Sequence, residues 1–295
     1  MNSSRRTFLR TSSVALAAAA LAPRLAKAEA ALKGRINHSV CKWCYPKISL
    51  QDLCVAGKGM GLQSIELLAP TDFPTIKQHG LSCAITTAAT IEAPDGGRKI
   101  GTIERAFNRT ENHELLVKAN TPFIDAVADA GFKHLICFSG NRDGMDEETG
   151  LRNCAEGLKK LLPHAEKRGV TLVMELLNSR VNHKDYMCDK SAWGIELCKR
   201  IGSPNFKLLY DIYHMQIMEG DVIATIRRDN QYFAHYHTGG VPGRHEIDET
   251  QELNYPAIMR AIADTGYKGH VAQEFIPAKP DTLASLRQAV GICDV

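Results

Sequence analysis

The chain has 295 residues and a formal net charge of +3 at pH 7, and its hydrophobic share of 44% is ordinary for a globular protein. Five basic residues and no acidic one lie in residues 1–28, so the remainder carries 31 basic and 33 acidic residues, a net charge of −2. Nucleic-acid-binding proteins usually carry an excess of positive charge. A net charge of −2 therefore argues against a nucleic-acid-binding protein.

The first 28 residues predict a twin-arginine export signal. Ser4–Arg10 contains the paired arginines, an alanine-rich apolar run covers Val14–Ala22, and Ala26–Ala28 fits a small-x-small cleavage site. The apolar run is too short for a membrane span, which needs about 20 residues. A short amphipathic or disordered tail is the alternative, and the order of the three parts argues against it. We therefore expect cleavage near Ala28, a periplasmic location without a stable membrane anchor, and one domain over residues 29–295.

Residues 29–295 alternate short β-rich runs with longer helical patterns. Eight runs predict strands: Arg35–Val40, Ser64–Leu68, Leu81–Thr86, His134–Ser139, Thr171–Leu177, Phe206–Ile212, Tyr232–Thr238 and His270–Phe275. A helical pattern follows each of them: Ser49–Met60, Pro74–His79, Glu111–Ala130, Glu147–Arg168, Ser191–Ile201, Asp221–Arg228, Tyr255–Thr265 and Asp281–Val290. Because parallel strands need crossover helices, eight such units predict an α/β fold, a single-domain (β/α)₈ TIM barrel. An open doubly wound sheet would carry a glycine-rich phosphate loop after its first strand, and Cys41–Pro46 is not one.

Two local features leave alternatives open. The long polar segment Thr90–Thr110 predicts a lid over a functional site, with plain disorder as the alternative. Among nine cysteines, Cys41 and Cys44 form the one close pair. Free thiols are the favoured interpretation of this pair, ahead of a structural disulfide and a redox role.

Four side chains that bind metals are predicted at the ends of the last four strands. Glu175, Asp211, His237 and Glu274 are spaced by 36, 26 and 37 residues, about one β/α repeat each. The C-terminal ends of barrel strands share one mouth, so we expect the four to converge there. Singly, a carboxylate at a strand end is more often a helix cap, and a strand histidine is more often part of the core. Together, three acids would repel each other without a cation, and three oxygens with one imidazole suit Mn²⁺, Mg²⁺, Co²⁺ or Zn²⁺.

Such a site suits proton transfer next to a carbonyl group. A divalent ion that binds a carbonyl and the neighbouring hydroxyl acidifies the C–H between them and stabilises an enediolate. Two facing carboxylates can then carry the proton, and we assign these catalytic roles to Glu175 and Glu274. Four further residues are substrate-binding candidates: His214, Arg244, Glu66 and Trp43. A surface ion pair is the alternative for Arg244, and a structural role is the alternative for Glu66.

Several of these residues lie in segments that resemble the hydroxypyruvate isomerase family of xylose isomerase-like TIM barrels. The similar segments are Leu209–Gln216, Pro242–Glu246, Glu252–Tyr255, Ser64–Leu68 and Met174–Glu175. The resemblance implies conversion of hydroxypyruvate to tartronate semialdehyde or a related ketose epimerisation.

The resemblance also implies roles for individual residues. Glu175 and Glu274 would be the acid/base pair and metal ligands, Asp211 a ligand, and His214 and Arg244 substrate contacts. The chain departs from the family at His237, where hydroxypyruvate isomerases tend to carry glutamine. Histidine there is similar to the D-tagatose 3-epimerase branch. The export signal is also unusual for a central-metabolism enzyme.

Three functions therefore remain in view. The leading one is a metal-dependent isomerase or epimerase of a small sugar or hydroxy-keto acid. A metal-dependent hydrolase on the same barrel, such as an abasic-site endonuclease, would need more histidines and a basic groove. A non-catalytic periplasmic sugar-binding barrel would exchange no substrate hydrogen with solvent. The sequence leaves the substrate, the metal and the oligomeric state open, and a homo-oligomer is compatible with it.

Overall fold

Residues 32–295 are described by the structure, a computed structural model. The predicted export signal, residues 1–28, and its cleavage near Ala28 lie outside the described residues and stay predictions. Between residues 32 and 295, no helix combines the length and the apolar character that crossing a membrane demands.

Seven strands form one parallel, curled sheet. They are β1 (Asn37–Cys41), β2 (Ser64–Glu66), β3 (His134–Cys137), β4 (Thr171–Leu176), β5 (Phe206–Asp211), β6 (Phe233–Thr238) and β7 (His270–Gln273). Their order in the sheet is β2-β1-β7-β6-β5-β4-β3, so β1 and β7 are direct neighbours. This ring order with crossover helices is that of a TIM barrel, as predicted.

The predicted third strand is an irregular segment that closes the ring. Ser82 forms a parallel bridge to Ser64 of β2, and Thr86 forms one to Leu135 of β3. Between these two bridges the backbone of Ala84 bonds to side chains. Its N–H donates to Ser64 Oγ at 2.8 Å, and its carbonyl oxygen lies 3.0 Å from His134 Nδ1. Side-chain hydrogen bonds thus replace part of the strand ladder, which is why seven regular strands and not eight are observed among the described residues.

Nine helices surround the sheet within the described residues. They are α1 (Leu50–Gly59), α2 (Phe73–Gln78), α3 (His113–Asp129), α4 (Glu147–Arg168), α5 (Ser191–Ile201), α6 (Ile212–Met218), α7 (Val222–Asp229), α8 (Tyr255–Asp264) and α9 (Thr282–Cys293). The sequence pattern does not predict helix α6, because it begins directly after β5 with no intervening loop. Asp211 ends the strand and caps the helix, since its Oδ1 accepts the His214 N–H at 3.1 Å.

Alternation along the strands decides which side chains enter the barrel. Successive strand residues face opposite sides, so Val173 and Glu175 share one face of β4, and Leu209 and Asp211 share one face of β5. Val173 and Leu209 pack with Ile85 and Ile136 in a small apolar cluster separate from the main core. The main core lies between the sheet and the helices. The acidic residues therefore lie on the same face as a closed apolar layer, further towards the C-terminal ends of the strands.

All nine cysteines are buried free thiols. Cys41 and Cys44 are among them, and burial raises the pKa of both thiols well above its ordinary value. This is the favoured one of the three interpretations of the pair.

Candidate active site

Glu175, Asp211, His237 and Glu274, here called the acid–histidine cluster, meet at the C-terminal mouth of the barrel. Glu175 lies near the end of β4, Asp211 ends β5, His237 lies in β6, and Glu274 directly follows β7. All four are buried, and one ligand atom from each lies within 4.8 Å of the others. The structure thus brings together the four residues that strand-end spacing singled out.

His237 lies at the centre of this cluster. Its Nδ1 lies 2.6 Å from Glu274 Oε2 and 3.5 Å from Glu175 Oε1. Within the described chain, neither His237 Nδ1 nor Glu175 Oε1 has a hydrogen-bond partner of suitable geometry. Buried polar atoms in native proteins normally have hydrogen-bond partners. We therefore interpret the lone pairs of these two atoms as directed at a ligand that they share. Three carboxylates and one imidazole are a donor set that fits a divalent cation.

Arg244 lies against this cluster. Its Nη2 donates to Glu274 Oε2 at 2.5 Å and to Asp211 Oδ2 at 3.2 Å. The guanidinium packs between the rings of Trp43 and Tyr213, with its Cζ 5.3 and 5.4 Å from their centroids. Arg244 is only 8% exposed, so the surface ion pair that was its alternative does not describe it.

The backbone around Arg244 is unusual. Its φ is +60°, a conformation that costs a non-glycine residue of order 1–3 kcal/mol and clusters at functional sites. Two backbone hydrogen bonds hold it there, from Arg244 N to Gly240 O at 2.8 Å and from Ile276 N to Arg244 O at 2.7 Å. The loop after β6 thus aims the guanidinium at the acids.

The pKa values of the cluster diverge. Burial raises the pKa of Glu175, and the nearby His237 offsets this only in part. Burial also raises the pKa of Asp211, to about 8, despite the charge of Arg244. For Glu274, burial alone would raise the pKa, but the charges of His237 and Arg244 hold it well below its ordinary value. The mouth therefore combines two carboxyl groups with raised pKa values, Glu175 and Asp211, and one with a lowered pKa, Glu274, an arrangement suited to acid/base chemistry.

Glu66, at the end of β2, lies beneath the cluster and is fully buried. Ser39 Oγ donates to its Oε2 at 2.6 Å, while His235 Nε2 and His237 Nε2 lie 2.7 and 2.8 Å from its Oε1. Burial alone would raise the pKa of Glu66, but His235 and His237 hold it well below its ordinary value. These contacts are those of the structural alternative.

His214 lies behind Asp211. Its Nδ1 accepts hydrogen bonds from Asn178, with Nδ2 at 2.6 Å and the backbone N at 3.2 Å, so its Nε2 carries the ring hydrogen. That Nε2 lies 3.6 Å from Asp211 Oδ2 and has no hydrogen-bond partner in the described part of the chain. Burial holds the pKa of His214 well below its ordinary value, so the ring is a neutral donor.

A cavity of about 370 Å³ opens at the cluster. Its polar residues are Glu175, His183, Arg244 and Glu274, and its remaining walls are mostly apolar: Trp43, Leu67, Thr87, Ala88, Ile103, Ile136, Phe138 and Leu177. Trp43 is 43% exposed and donates its Nε1 hydrogen to Glu274 Oε1 at 2.8 Å. Glu66 and His214 are not among these residues. The volume and the small number of polar groups suit a substrate of a few carbons.

The predicted lid contributes to this cavity through Ile103. Ile91 and Ile100 form an antiparallel bridge within it, and Gly101 N donates to Arg105 O at 2.8 Å. Gly101 has a φ of +92°, and a Cβ there would lie 2.2 Å from the Ala89 carbonyl oxygen, so glycine alone fits. The segment is thus folded against the barrel. Sequence reasoning did not identify Ile103 or His183, because these loop residues carry no strand-end signal. It also missed Asn178, which directly follows the predicted strand Thr171–Leu177 and could have been found by that signal.

The sequence matches known proteins along most of its length. A family model described as a xylose isomerase-like TIM barrel matches residues 76–290. The chain is 38% identical over 113 residues to 2-oxo-tetronate isomerase of Cupriavidus necator, a match covering 38% of this chain and 43% of that protein. It is 34% identical over 114 residues to a putative hydroxypyruvate isomerase of Homo sapiens, covering 39% of this chain and 41% of that protein. The matched region is therefore less than half the length of each of these curated relatives.

Solved structures share the fold. An AP endonuclease of family 2 from Brucella melitensis superposes with a TM-score of 0.72 at 24% identity, covering 85% of this chain and 96% of that one. A D-psicose 3-epimerase with D-tagatose from Clostridium cellulolyticum H10 superposes with a TM-score of 0.65 at 17% identity, covering 86% and 90%. At these identities the similarity is one of architecture.

Proposed function

The chain belongs to the xylose isomerase-like TIM barrel family, and from that premise we propose that it isomerises a small hydroxy-keto acid, as a hydroxypyruvate isomerase does. The observation that carries the proposal is the convergence of the acid–histidine cluster on one buried point, beside a cavity of about 370 Å³ that Glu175 and Glu274 line. The relatives that are named isomerases support the reaction type.

We infer that the cluster holds a divalent cation, with Mn²⁺, Mg²⁺, Co²⁺ and Zn²⁺ as the candidates. Bound there, the cation would polarise the substrate carbonyl and make the neighbouring C–H more acidic. The unpartnered His237 Nδ1 and Glu175 Oε1 are the observation that favours this role.

Glu274 and Glu175 form the proposed proton-transfer pair. Both border the cavity, and their pKa values are displaced in opposite directions. Glu274 removes the proton from the hydroxyl-bearing carbon, and Glu175 returns a proton to the neighbouring carbonyl carbon. The hydroxyl hydrogen passes to the former carbonyl oxygen, so the carbonyl and hydroxyl groups exchange places. Exchange with water in the cavity then restores the starting protonation of both groups.

The remaining cavity residues hold the substrate. The Arg244 guanidinium offers fixed donors to a carboxylate or to hydroxyl groups. His214 does not line the cavity; its Nε2–H is directed towards Asp211, so it would act on the substrate only through that ligand. Trp43 forms an apolar wall, and its hydrogen bond holds the Glu274 carboxylate in place.

A ketose 3-epimerase is the second candidate. Histidine as the fourth member of the cluster favours it, because the sequence there is similar to the D-tagatose 3-epimerase branch. In that reaction the two glutamates would act on opposite faces of one carbon. The hydrolase is disfavoured, since the two candidate metal groups within residues 32–295 contain a single histidine, His237.

The experiment follows substrate hydrogen by proton NMR in deuterated water. Protein supplied with Mn²⁺ is incubated with hydroxypyruvate, 2-oxo-tetronate or one of a panel of ketoses. Each reaction is then quenched and freed of Mn²⁺ before its NMR spectrum is recorded. We expect deuterium at the carbon next to the carbonyl, and a loss of at least about 100-fold in Glu175→Gln. The unfolding temperature of the variant checks that its fold is intact.

Each alternative gives a different NMR result. Conversion of a ketose but of neither keto acid would favour the epimerase. Tight binding of a sugar without exchange of its hydrogen with solvent would favour the sugar-binding barrel. Unchanged exchange in a folded Glu175→Gln would remove Glu175 from the mechanism.

A further inference from the structure

Beneath the acid–histidine cluster, Glu66 occupies a position that the proposed reaction does not use. It is 0% exposed and absent from the residues that line the cavity, so a substrate in the cavity does not reach it. Three donors already surround its two oxygens at 2.6–2.8 Å: Ser39 Oγ, His235 Nε2 and His237 Nε2. A carboxylate held this way is fixed in both position and orientation.

The hydrogen bond between Glu66 and His237 decides what His237 offers to the cluster. A carboxylate oxygen accepts, so His237 donates its Nε2 hydrogen to Glu66 Oε1 at 2.8 Å. In the neutral ring the other nitrogen, Nδ1, then carries the lone pair. Nδ1 is also the atom that lies 2.6 Å from Glu274 and 3.5 Å from Glu175 and has no aligned hydrogen-bond partner in the described chain.

We propose that Glu66 is a positioning residue: it holds His237 in the tautomer and ring orientation that present Nδ1 to a divalent cation. The inference rests on the metal site of the proposed function. It follows the general observation that a histidine ligand is oriented by a carboxylate on its other nitrogen, whose loss weakens metal binding about 10- to 100-fold. His235 acts on the same Glu66 oxygen from the next inward position of β6 and so restrains the carboxylate.

The test measures Mn²⁺ binding to Glu66→Gln by electron paramagnetic resonance, which counts free Mn²⁺ directly and needs no substrate. The variant keeps the shape of the side chain and an accepting oxygen but loses the charge. We expect its dissociation constant to rise about 10- to 100-fold. Its unfolding temperature with chelator present should stay close to that of the unaltered protein.

Asp189→Asn is the matched control. Asp189 is a buried carboxylate that also accepts hydrogen bonds from a serine and a cationic side chain, Ser179 Oγ at 2.5 Å and Arg142 Nη2 at 2.8 Å. It contacts no member of the acid–histidine cluster in any hydrogen bond or ion pair of the described residues. We expect unchanged Mn²⁺ affinity, so any general effect of neutralising a buried carboxylate is subtracted.

A spectroscopic readout separates positioning from a merely structural role. In ¹⁵N-histidine NMR of the protein with Mg²⁺, we expect His237 to be protonated at Nε2, with its N–H proton shifted far downfield by the bond to Glu66. Glu66→Gln should move that proton upfield. Should the variant fail to fold, Glu66→Asp keeps the charge, withdraws the carboxylate by one methylene, and predicts the same loss of Mn²⁺ affinity.

The outcomes separate this inference from the proposed function. Mn²⁺ affinity and an Nε2–H signal that stay unchanged in folded Glu66→Gln overturn the role of Glu66 and leave the proposed function intact. An unaltered protein that binds no Mn²⁺ overturns the metal site, and with it this inference. Mn²⁺ binding without isomerisation in the unaltered protein contradicts the proposed function while the role of Glu66 still stands.

Discussion

At the scale of single residues, histidines take opposite roles according to what surrounds the ring. Burial alone would lower the pKa of His237, but in the metal-free cluster Glu274 holds it well above its ordinary value, and a cation bound at Nδ1 would displace the proton on that atom. Burial lowers the pKa of His38 to about 4, with Asp294 opposing this and His270 adding to it. Neither ring nitrogen of His38 has a hydrogen-bond partner in the described chain. The carboxylate of Glu274 thus favours the charged form of the His237 ring, whereas burial keeps His38 neutral.

His38 predicts a loss of stability in acid. The unfolded chain binds a proton on this residue near pH 6.5 and the folded protein only near pH 4, so the unfolded state holds more protons between these values. The free energy of unfolding should therefore fall as the pH drops through this window, by up to about 3 kcal/mol from this residue. In His38→Leu that part of the slope should vanish.

Urea unfolding at pH 7.5, 5.5 and 4.5 measures the effect of His38→Leu. The two proteins at pH 7.5 provide the reference, because any difference there reflects packing alone. Parallel stability curves for both proteins down to pH 4.5 would show that His38 does not titrate as described.

At the scale of elements, the four cluster residues are predictable because each is tied to the end of a strand. A regular β/α repeat fixes where such a residue points, so the positions of Glu175 and Asp211 follow from the sequence pattern alone. The loop residues Ile103 and His183 follow no repeat, and their approach to the cavity depends on tertiary contacts alone. Helix α6 escapes prediction because Asp211 is at once the last residue of β5 and the cap of the helix.

The loop after β6 is joined to the segment after β7 by one buried carboxylate. Glu246 Oε1 accepts the N–H of Ala278 at 3.1 Å, the N–H of Lys279 at 3.0 Å and the Ser285 hydroxyl at 2.8 Å. Burial alone would raise the pKa of Glu246, but these hydrogen bonds lower it. Glu246 lies two residues after Arg244, so it anchors the loop that aims the guanidinium.

We expect Glu246→Ala to lower the free energy of unfolding by about 2 kcal/mol, because buried donors lose their acceptor. It should also raise KM about 10-fold by loosening Arg244, with a smaller effect on kcat. Urea unfolding and steady-state kinetics measure the two effects. Glu246→Gln, which keeps the accepting oxygen, is the control and should lie between Ala and the unaltered protein. If the free energy of unfolding falls by about 2 kcal/mol and KM stays unchanged, Glu246 stabilises the protein without positioning Arg244.

At the scale of the whole molecule, the barrel interior is divided by chemistry. Ile85, Ile136, Val173 and Leu209 form an apolar cluster contributed by one side of the ring, from the irregular segment to β5. Ser39, Glu66 and His235 form the polar network contributed by the other side, from β1, β2 and β6. The barrel architecture follows from the alternation of strand and helix patterns. The division within it does not, because it depends on which strands become neighbours.

Export by the twin-arginine route would carry this barrel in its folded state, and the periplasmic location stays a proposal. We expect Arg5→Lys combined with Arg6→Lys to retain the protein in the cytoplasm, since the paired arginines are the recognised feature of the signal. Immunoblots of periplasmic and cytoplasmic fractions measure this, with the unaltered chain alongside as the control. Equal periplasmic amounts of both proteins would contradict a twin-arginine signal.

The pairing of β1 with β7 has a consequence for how the chain is made. One edge of β1 stays unpaired until β7, the last strand of the sheet, has been synthesised. During that interval the unpaired edge of β1 can form hydrogen bonds with strands of other chains, which promotes the aggregation of nascent chains. Late pairing of β1 with β7 is therefore expected to make the chain most prone to aggregation before its last β/α unit has been synthesised.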